Sequence, residues 1–240
     1  MNVLSLITSH DVSARYYRAI IEAENVLRGN FDRLPEPIRS ALAELEQLDN
    51  DWELNDIPVD EHHYGRIPGE TSIRLWSVPR STGELLSFLV MLSGARTILE
   101  VGTSAGYSTL WLAAGAQVTG GHVYTYDVFK QKIQLANHYV ERAGVEDTVT
   151  ITEADGIDAI THWDAANPID FAFLDAHKED YCRTLQQLLP KMRKLGLIIV
   201  DNAGNYRHLM ADFIQRIEAG EDVVNHYLDV DGGLMLLVKL

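Results

Sequence analysis

The sequence predicts an α/β fold, a doubly wound and mostly parallel sheet preceded by N-terminal helices. Three observations point to it. Short apolar runs rich in β-branched and aromatic residues recur from residue 97 onward. Amphipathic helical stretches separate most of them. Glycines and acidic residues fall at the ends of the runs, where sheets of this kind bind ligands.

The first third of the chain is helical and polar. Residues 9–27 and 37–48 carry apolar residues at helical spacing, and Ile38, Leu42, Leu45 and Leu48 make one face of the second stretch. Pro35 and Pro37 punctuate the gap between them. Residues 54–68 read as irregular, with Pro58, Gly65 and Pro68 as breakers. The texture changes near Pro79. Residues 83–92 predict a helix, 97–101 (TILEV) a buried strand, 105–114 a helix and 122–127 (HVYTYD) a second strand. A helix over 130–143 stops at Gly144, a residue suited to the left-handed C-cap. Residues 148–153 predict a third strand and 169–175 (IDFAFLD) a fourth, followed by a helix over 180–195. A fifth strand over 197–201 (LIIVD) precedes a helix over 206–219. Residues 223–228 and 234–238 close as a strand pair around Asp231-Gly232-Gly233. The expected organisation is a helical extension over 1–76 packing on a core over 77–240, one domain overall.

Composition narrows the function. The chain has 240 residues, 46% hydrophobic and 23% charged, as in an ordinary globular protein. No run of about 18 apolar residues suggests a membrane span, and the first residues lack the basic region and small-residue cleavage site of a secretory signal. Cys182 is the only cysteine, so no intrachain disulfide or thiolate metal cluster can form, and a reducing cytoplasm is the expected compartment. The formal net charge is −15, which argues against nucleic-acid and anionic-membrane partners. Residues 1–70 hold 6 Lys/Arg against 14 Asp/Glu, which reads as a solvated helical surface.

The strand ends carry the chemistry. Strand one runs into Gly102-Thr103-Ser104-Ala105-Gly106, where glycines let the backbone approach a ligand and a helix N-terminus favours an anion. This is not the dinucleotide pattern G-x-G-x-x-G. Asp127, ending strand two 25 residues beyond Gly102, can accept both hydroxyl protons of a ribose or cap the next helix. Glu153-Ala154-Asp155-Gly156 can frame an adenine edge. Strand four ends at Asp175 and strand five at Asp201-Asn202, in neighbouring strands of such a sheet. Two carboxylates and a carboxamide are hard oxygen ligands for Mg²⁺, Ca²⁺ or Mn²⁺. The alternative is that Asp201 caps a helix and Asp175 pairs with Lys178.

From about Ser77 to the C-terminus the chain resembles the cation-dependent O-methyltransferases, the group of catechol and caffeoyl-CoA O-methyltransferases and many small bacterial enzymes. The segments LEVGTSAGYSTLWLA, YTYD, FAFLDAHKEDY and LGLIIVDNAG carry the resemblance. It implies a seven-stranded Rossmann-like methyltransferase sheet. It implies S-adenosylmethionine at Glu100, Gly102, Ser108, Asp127, Gly156 and Asp175, and a divalent cation, Mg²⁺ foremost, at Asp175, Asp201 and Asn202. Lys178 matches the general base, and D-x-x-K-x-x-Y is complete as Asp175, Lys178 and Tyr181. The implied reaction is in-line methyl transfer to a hydroxyl of a small catechol-like acceptor by a homodimeric enzyme; methylation of a hydroxylated tRNA uridine is the alternative. The chain departs from the family after Asp201-Asn202, where Ala203-Gly204-Asn205 leads straight to the expected helix without a tryptophan-bearing insertion. His62-His63 reads as surface, and Trp52, Tyr64 and Trp76 either pack or line an acceptor pocket.

A rival reading is hydrolytic, since Gly102-Thr103-Ser104-Ala105-Gly106 also fits G-x-S-x-G, with Asp201 and His226 downstream. An elbow after the first strand leaves no earlier strand–loop to complete an oxyanion hole. A dehydrogenase lacks its third glycine here, and a degenerate binding protein would not need Lys178 and the three cation ligands.

Overall fold

The computed structural model describes residues 31–51, 75–164 and 166–240. Along these the elements are α1 (Glu36–Asp51), α2 (Arg80–Ser93), β1 (Thr97–Val101), α3 (Tyr107–Thr119), β2 (His122–Asp127), α4 (Lys130–Ala143), β3 (Val149–Glu153) and α5 (Gly156–Thr161). They continue as β4 (Ile169–Leu174), α6 (Tyr181–Leu188), β5 (Met192–Val200), α7 (Ala211–Ala219), β6 (Val223–Leu228) and β7 (Leu234–Lys239). Expectations that fell on Trp52, Tyr64, His62-His63 and the stretch 9–27 lie outside the described residues.

The seven strands form one sheet in the order β3-β2-β1-β4-β5-β7-β6. β1 to β5 run parallel, and β7 runs antiparallel to both β5 and β6. The chain winds outward from β1 to β3, then returns to lay β4 on the other side of β1, so the switch point lies between β1 and β4. Helices cover both faces, which is why the central strands are almost wholly apolar. Ile98, Phe171, Phe173 and Ile199 face the layer of α1 to α4. Leu99, Ala172, Leu174, Ile198 and Val200 face the layer of α5 to α7. This is the doubly wound Rossmann-like α/β fold that the sequence predicts.

α1 joins the first of these cores. Ile38, Leu42 and Leu45, spaced one helical turn apart, are fully buried with Trp111 and Leu110 of α3. Polar contacts fix its far end. The Tyr107 hydroxyl donates to Glu46 Oε1 (2.6 Å), and Arg80 Nε donates to the same oxygen (2.8 Å). α1 thereby meets the first turns of α2 and α3, which flank the strand tips.

Three local expectations need correction. The helix expected over 180–195 ends at Leu188, and a 3₁₀ turn at Leu189–Lys191 leads into β5 at Met192. Pro190 cannot donate the backbone hydrogen bond a continuing helix needs. The helix expected over 206–219 begins only at Ala211. The residues after Asp201 turn back instead, held by Ala203 N–H to Gly233 O (2.8 Å) and Gly204 N–H to Gly232 O (2.9 Å) from the β6–β7 turn. The sequence reading also omitted α5, whose N-cap is Asp155, accepting from Ile157 N–H (2.8 Å) and Asp158 N–H (3.1 Å).

Candidate active site

Parallel pairing decides what meets at the sheet's carboxyl edge. Val101 pairs with Leu174, and Leu174 with Val200. The ladder runs one residue past each strand, with Asp175 N–H donating to Val101 O (2.9 Å) and Asp201 N–H to Leu174 O (3.0 Å). Gly102, Asp175 and Asp201 therefore stand side by side at the switch point. They border a cavity of about 850 Å³. Asp127, Gly156, Lys178 and Asn202 also line it.

Gly102 is where the two halves touch. Its φ is +105°, and a Cβ there would stand 2.1 Å from the carbonyl oxygen of Asp175. Gly102→Ala is expected to destabilise the fold by about 3 kcal/mol or more through strained backbone and overpacking; a urea midpoint equal to wild type contradicts this close approach. Asp127 reaches across the glycine turn. Ser104 N–H donates to its Oδ2 (2.8 Å) and Phe129 N–H to its Oδ1 (2.9 Å), leaving each oxygen a further lone pair at the cavity. Gly156 fits against Val101, whose Cγ1 would lie 2.3 Å from an added Cβ.

The other end of the cavity is acidic. Lys178 Nζ lies 2.7 Å from Asp175 Oδ1, the pairing foreseen as the alternative to a cation site. Asp201 is 5% exposed and its Oδ1 accepts from Asn202 N–H (2.7 Å). Burial first, and then the Asp175 charge, push the Asp201 carboxyl well above the usual range. Two carboxylates and the Asn202 carboxamide share this corner with one ammonium, a donor set and a charge imbalance that suit a divalent cation. Among the described residues no group of three or more His, Cys, Asp or Glu side chains that could hold a metal ion occurs. Behind the corner, the buried Tyr181 hydroxyl donates to Leu174 O (3.0 Å) and anchors the β4 tip.

Backbone strain marks the same cavity. Among the described residues five non-glycines have positive φ, and Trp76 (51°), Ser104 (45°), Asn202 (62°) and Asp231 (50°) all line it. Such conformations persist only where surroundings enforce them. Asp231 is held by hydrogen bonds from Ser81 and Thr82 of α2.

Glu100 and Ser108 are brought together, but do not line the cavity. Glu100 is fully buried under the glycine turn, facing α3. Its carboxylate accepts from Ser108 (2.6 Å), Thr109 and Thr125 (2.6 Å). Burial outweighs these hydroxyls and pushes its carboxyl up to about 7. With the folded value above the unfolded one, folding binds a proton, so stability falls as pH rises from about 4.5 to 7. Glu100→Gln, which mimics the protonated acid, is expected to gain stability relative to wild type across that window, on the order of 3 kcal/mol at most. Parallel stability curves from pH 5 to pH 8 contradict this.

The hydrolytic reading has no support in the geometry. The Ser104 hydroxyl donates to Leu75 O (2.5 Å), and His226 sits on β6 at the far edge of the sheet, paired with Leu236. The sequence reading missed Lys132 and Asp231 as cavity residues. Lys132 left a signal, standing with Ile133, Ala136 and Val140 on the buried side of α4. Trp76, left open earlier, turns a half-exposed ring to the cavity.

Residues 68–228 match the sequence profile of a family described as O-methyltransferase. Catechol O-methyltransferase of Mycobacterium tuberculosis is 36% identical over 118 residues, 48% of this chain and 53% of that protein. The chain thus spans about half the length of this curated relative, and 58% of a catechol O-methyltransferase from Niastella koreensis that is 35% identical. An O-methyltransferase from Bacillus cereus, solved in complex with SAH, superposes with a TM-score of 0.66 at 27% identity over 84% of this chain and 91% of that one.

Proposed function

Because the chain belongs to the O-methyltransferase family, we propose that it transfers the methyl group of S-adenosylmethionine to a hydroxyl oxygen of a small catechol-like acceptor in a cation-dependent reaction. The observation that carries this reading is the meeting of Asp175, Asp201, Asn202 and Lys178 on the cavity that Gly102 and Asp127 also border. A sulfonium donor fits a cavity wall so rich in carboxylates.

Asp127 offers its free lone pairs to the ribose hydroxyls, and Gly102 lets the methionyl part lie against backbone. Asp175, Asp201 and Asn202 would hold the cation. Mg²⁺ or a similar ion supplies Lewis acidity that lowers the pKa of an acceptor hydroxyl and fixes its direction. Lys178, beside Asp175, is the proton acceptor once its amine is neutral. The carboxylates orient donor and acceptor, and that positioning supplies much of the rate enhancement. A vicinal diol is the favoured acceptor because two adjacent oxygens chelate one ion.

The test is a labelled S-adenosylmethionine assay against a catechol panel. Label is expected in the ether product with Mg²⁺ and is expected to vanish with EDTA. Full transfer in EDTA refutes the cation, and no transfer to any hydroxylated acceptor, with donor still bound, refutes the enzymatic reading.

A further inference from the structure

Lys132 is a buried lysine that the reaction above does not use. It is 7% exposed, and it lines the cavity. Its ammonium lies 5.2 Å from the centre of the Trp76 ring. The carboxylates of Asp127 on β2, Asp175 just after β4 and Asp49 on α1 attract it. Each of those has other partners. Asp127 accepts from two backbone N–H groups, Asp175 pairs with Lys178, and Asp49 accepts from Ser77. Among the described residues no carboxylate comes within 4.0 Å of the Lys132 ammonium. A buried cation without a close counter-ion is costly, and a ligand anion relieves that cost. Lys132 also lies in the first turn of the 14-residue helix α4, where the helix dipole favours negative charge. Of the cavity's two lysines, the other is engaged by Asp175.

We propose that Lys132 binds a carboxylate of the ligand occupying the cavity, either the amino-acid carboxylate of the methyl donor or a carboxylate on the acceptor. This rests on the methyl-donor reading above. The burial of Lys132 and the Trp76 ring beside its ammonium limit water at the contact, which strengthens it.

The test is calorimetric titration of wild type, Lys132→Met and Lys132→Arg with S-adenosylhomocysteine and with 5′-methylthioadenosine, which lacks the carboxylate. The same variants are assayed with catechol and with 3,4-dihydroxybenzoate. If the donor supplies the carboxylate, Lys132→Met weakens S-adenosylhomocysteine about tenfold or more and 5′-methylthioadenosine less than twofold, while Lys132→Arg retains both. If the acceptor supplies it, nucleoside binding holds and KM for 3,4-dihydroxybenzoate rises about tenfold relative to catechol. The ratio of the two nucleoside affinities is insensitive to the folded fraction, so partial misfolding cannot imitate the first result. Equal weakening of both nucleosides, or no change in either comparison, overturns the role of Lys132. A wild-type protein that binds neither nucleoside overturns the methyl-donor reading itself, and this proposal with it.

Discussion

Asp201→Ala is expected to lower methyl transfer about a thousandfold and to remove its dependence on Mg²⁺. At the proposed cation site, loss of one of three oxygen ligands would remove several kcal/mol of charge stabilisation at the acceptor, and each 1.36 kcal/mol is tenfold in rate. Binding of S-adenosylhomocysteine should stay within a few-fold of wild type, because the variant leaves Gly102 and Asp127, the residues assigned to the donor, unchanged. The fold should not suffer. Asp201 is buried beside Asp175, and its removal relieves repulsion that burial makes worse. A thermal midpoint equal to or above wild type, together with lost turnover, therefore separates function from folding. Retained turnover in Asp201→Ala contradicts the cation site.

Lys178→Ala should lower kcat by roughly 10²- to 10⁴-fold, the usual contribution of a placed general base, with little change in donor affinity. The Lys178–Asp175 pair complicates the variant, since its loss leaves two carboxylates facing each other. Lys178→Arg resolves this. A guanidinium keeps the ion pair but does not release its proton at neutral pH. If Lys178 acts as the base, Lys178→Arg restores stability without turnover. If its role is only to neutralise Asp175, Lys178→Arg restores both. Parallel loss of turnover and donor affinity in Lys178→Ala also speaks against the base.

Much of the fold could be read from the sequence because each central strand is a short apolar run closed by a polar or glycine residue. TILEV, HVYTYD and IDFAFLD emerge as β1, β2 and β4 with boundaries shifted by one residue or none. β5 was harder to read. Its first half, Met192 to Gly196, is rich in charge, joins the ladder at Ile169 through a register shift, and includes Leu195 at φ 60°. Helical periodicity in the preceding residues therefore ran on past Pro190. The reversal after Asn202 was hidden for a different reason. It depends on backbone bonds to Gly232 and Gly233, which are distant in sequence.

The acidic corner was legible because strand order follows from winding, and winding puts the tips of β4 and β5 together. What sequence could not supply was side-chain direction within a strand. Glu100 and Val101 are neighbours, yet Val101 lines the cavity while Glu100 turns to three hydroxyls on the opposite face. Lys132 was hidden by a similar ambiguity, since one lysine in an amphipathic helix is ordinarily read as a residue at the edge of the polar face.

The most direct test is anomalous diffraction from crystals grown with Mn²⁺ and S-adenosylhomocysteine. The account predicts a manganese peak bonded to Asp175, Asp201 and Asn202, with the thioether sulfur of the cofactor in the same cavity. A map with the nucleoside bound and no manganese at those three side chains contradicts it.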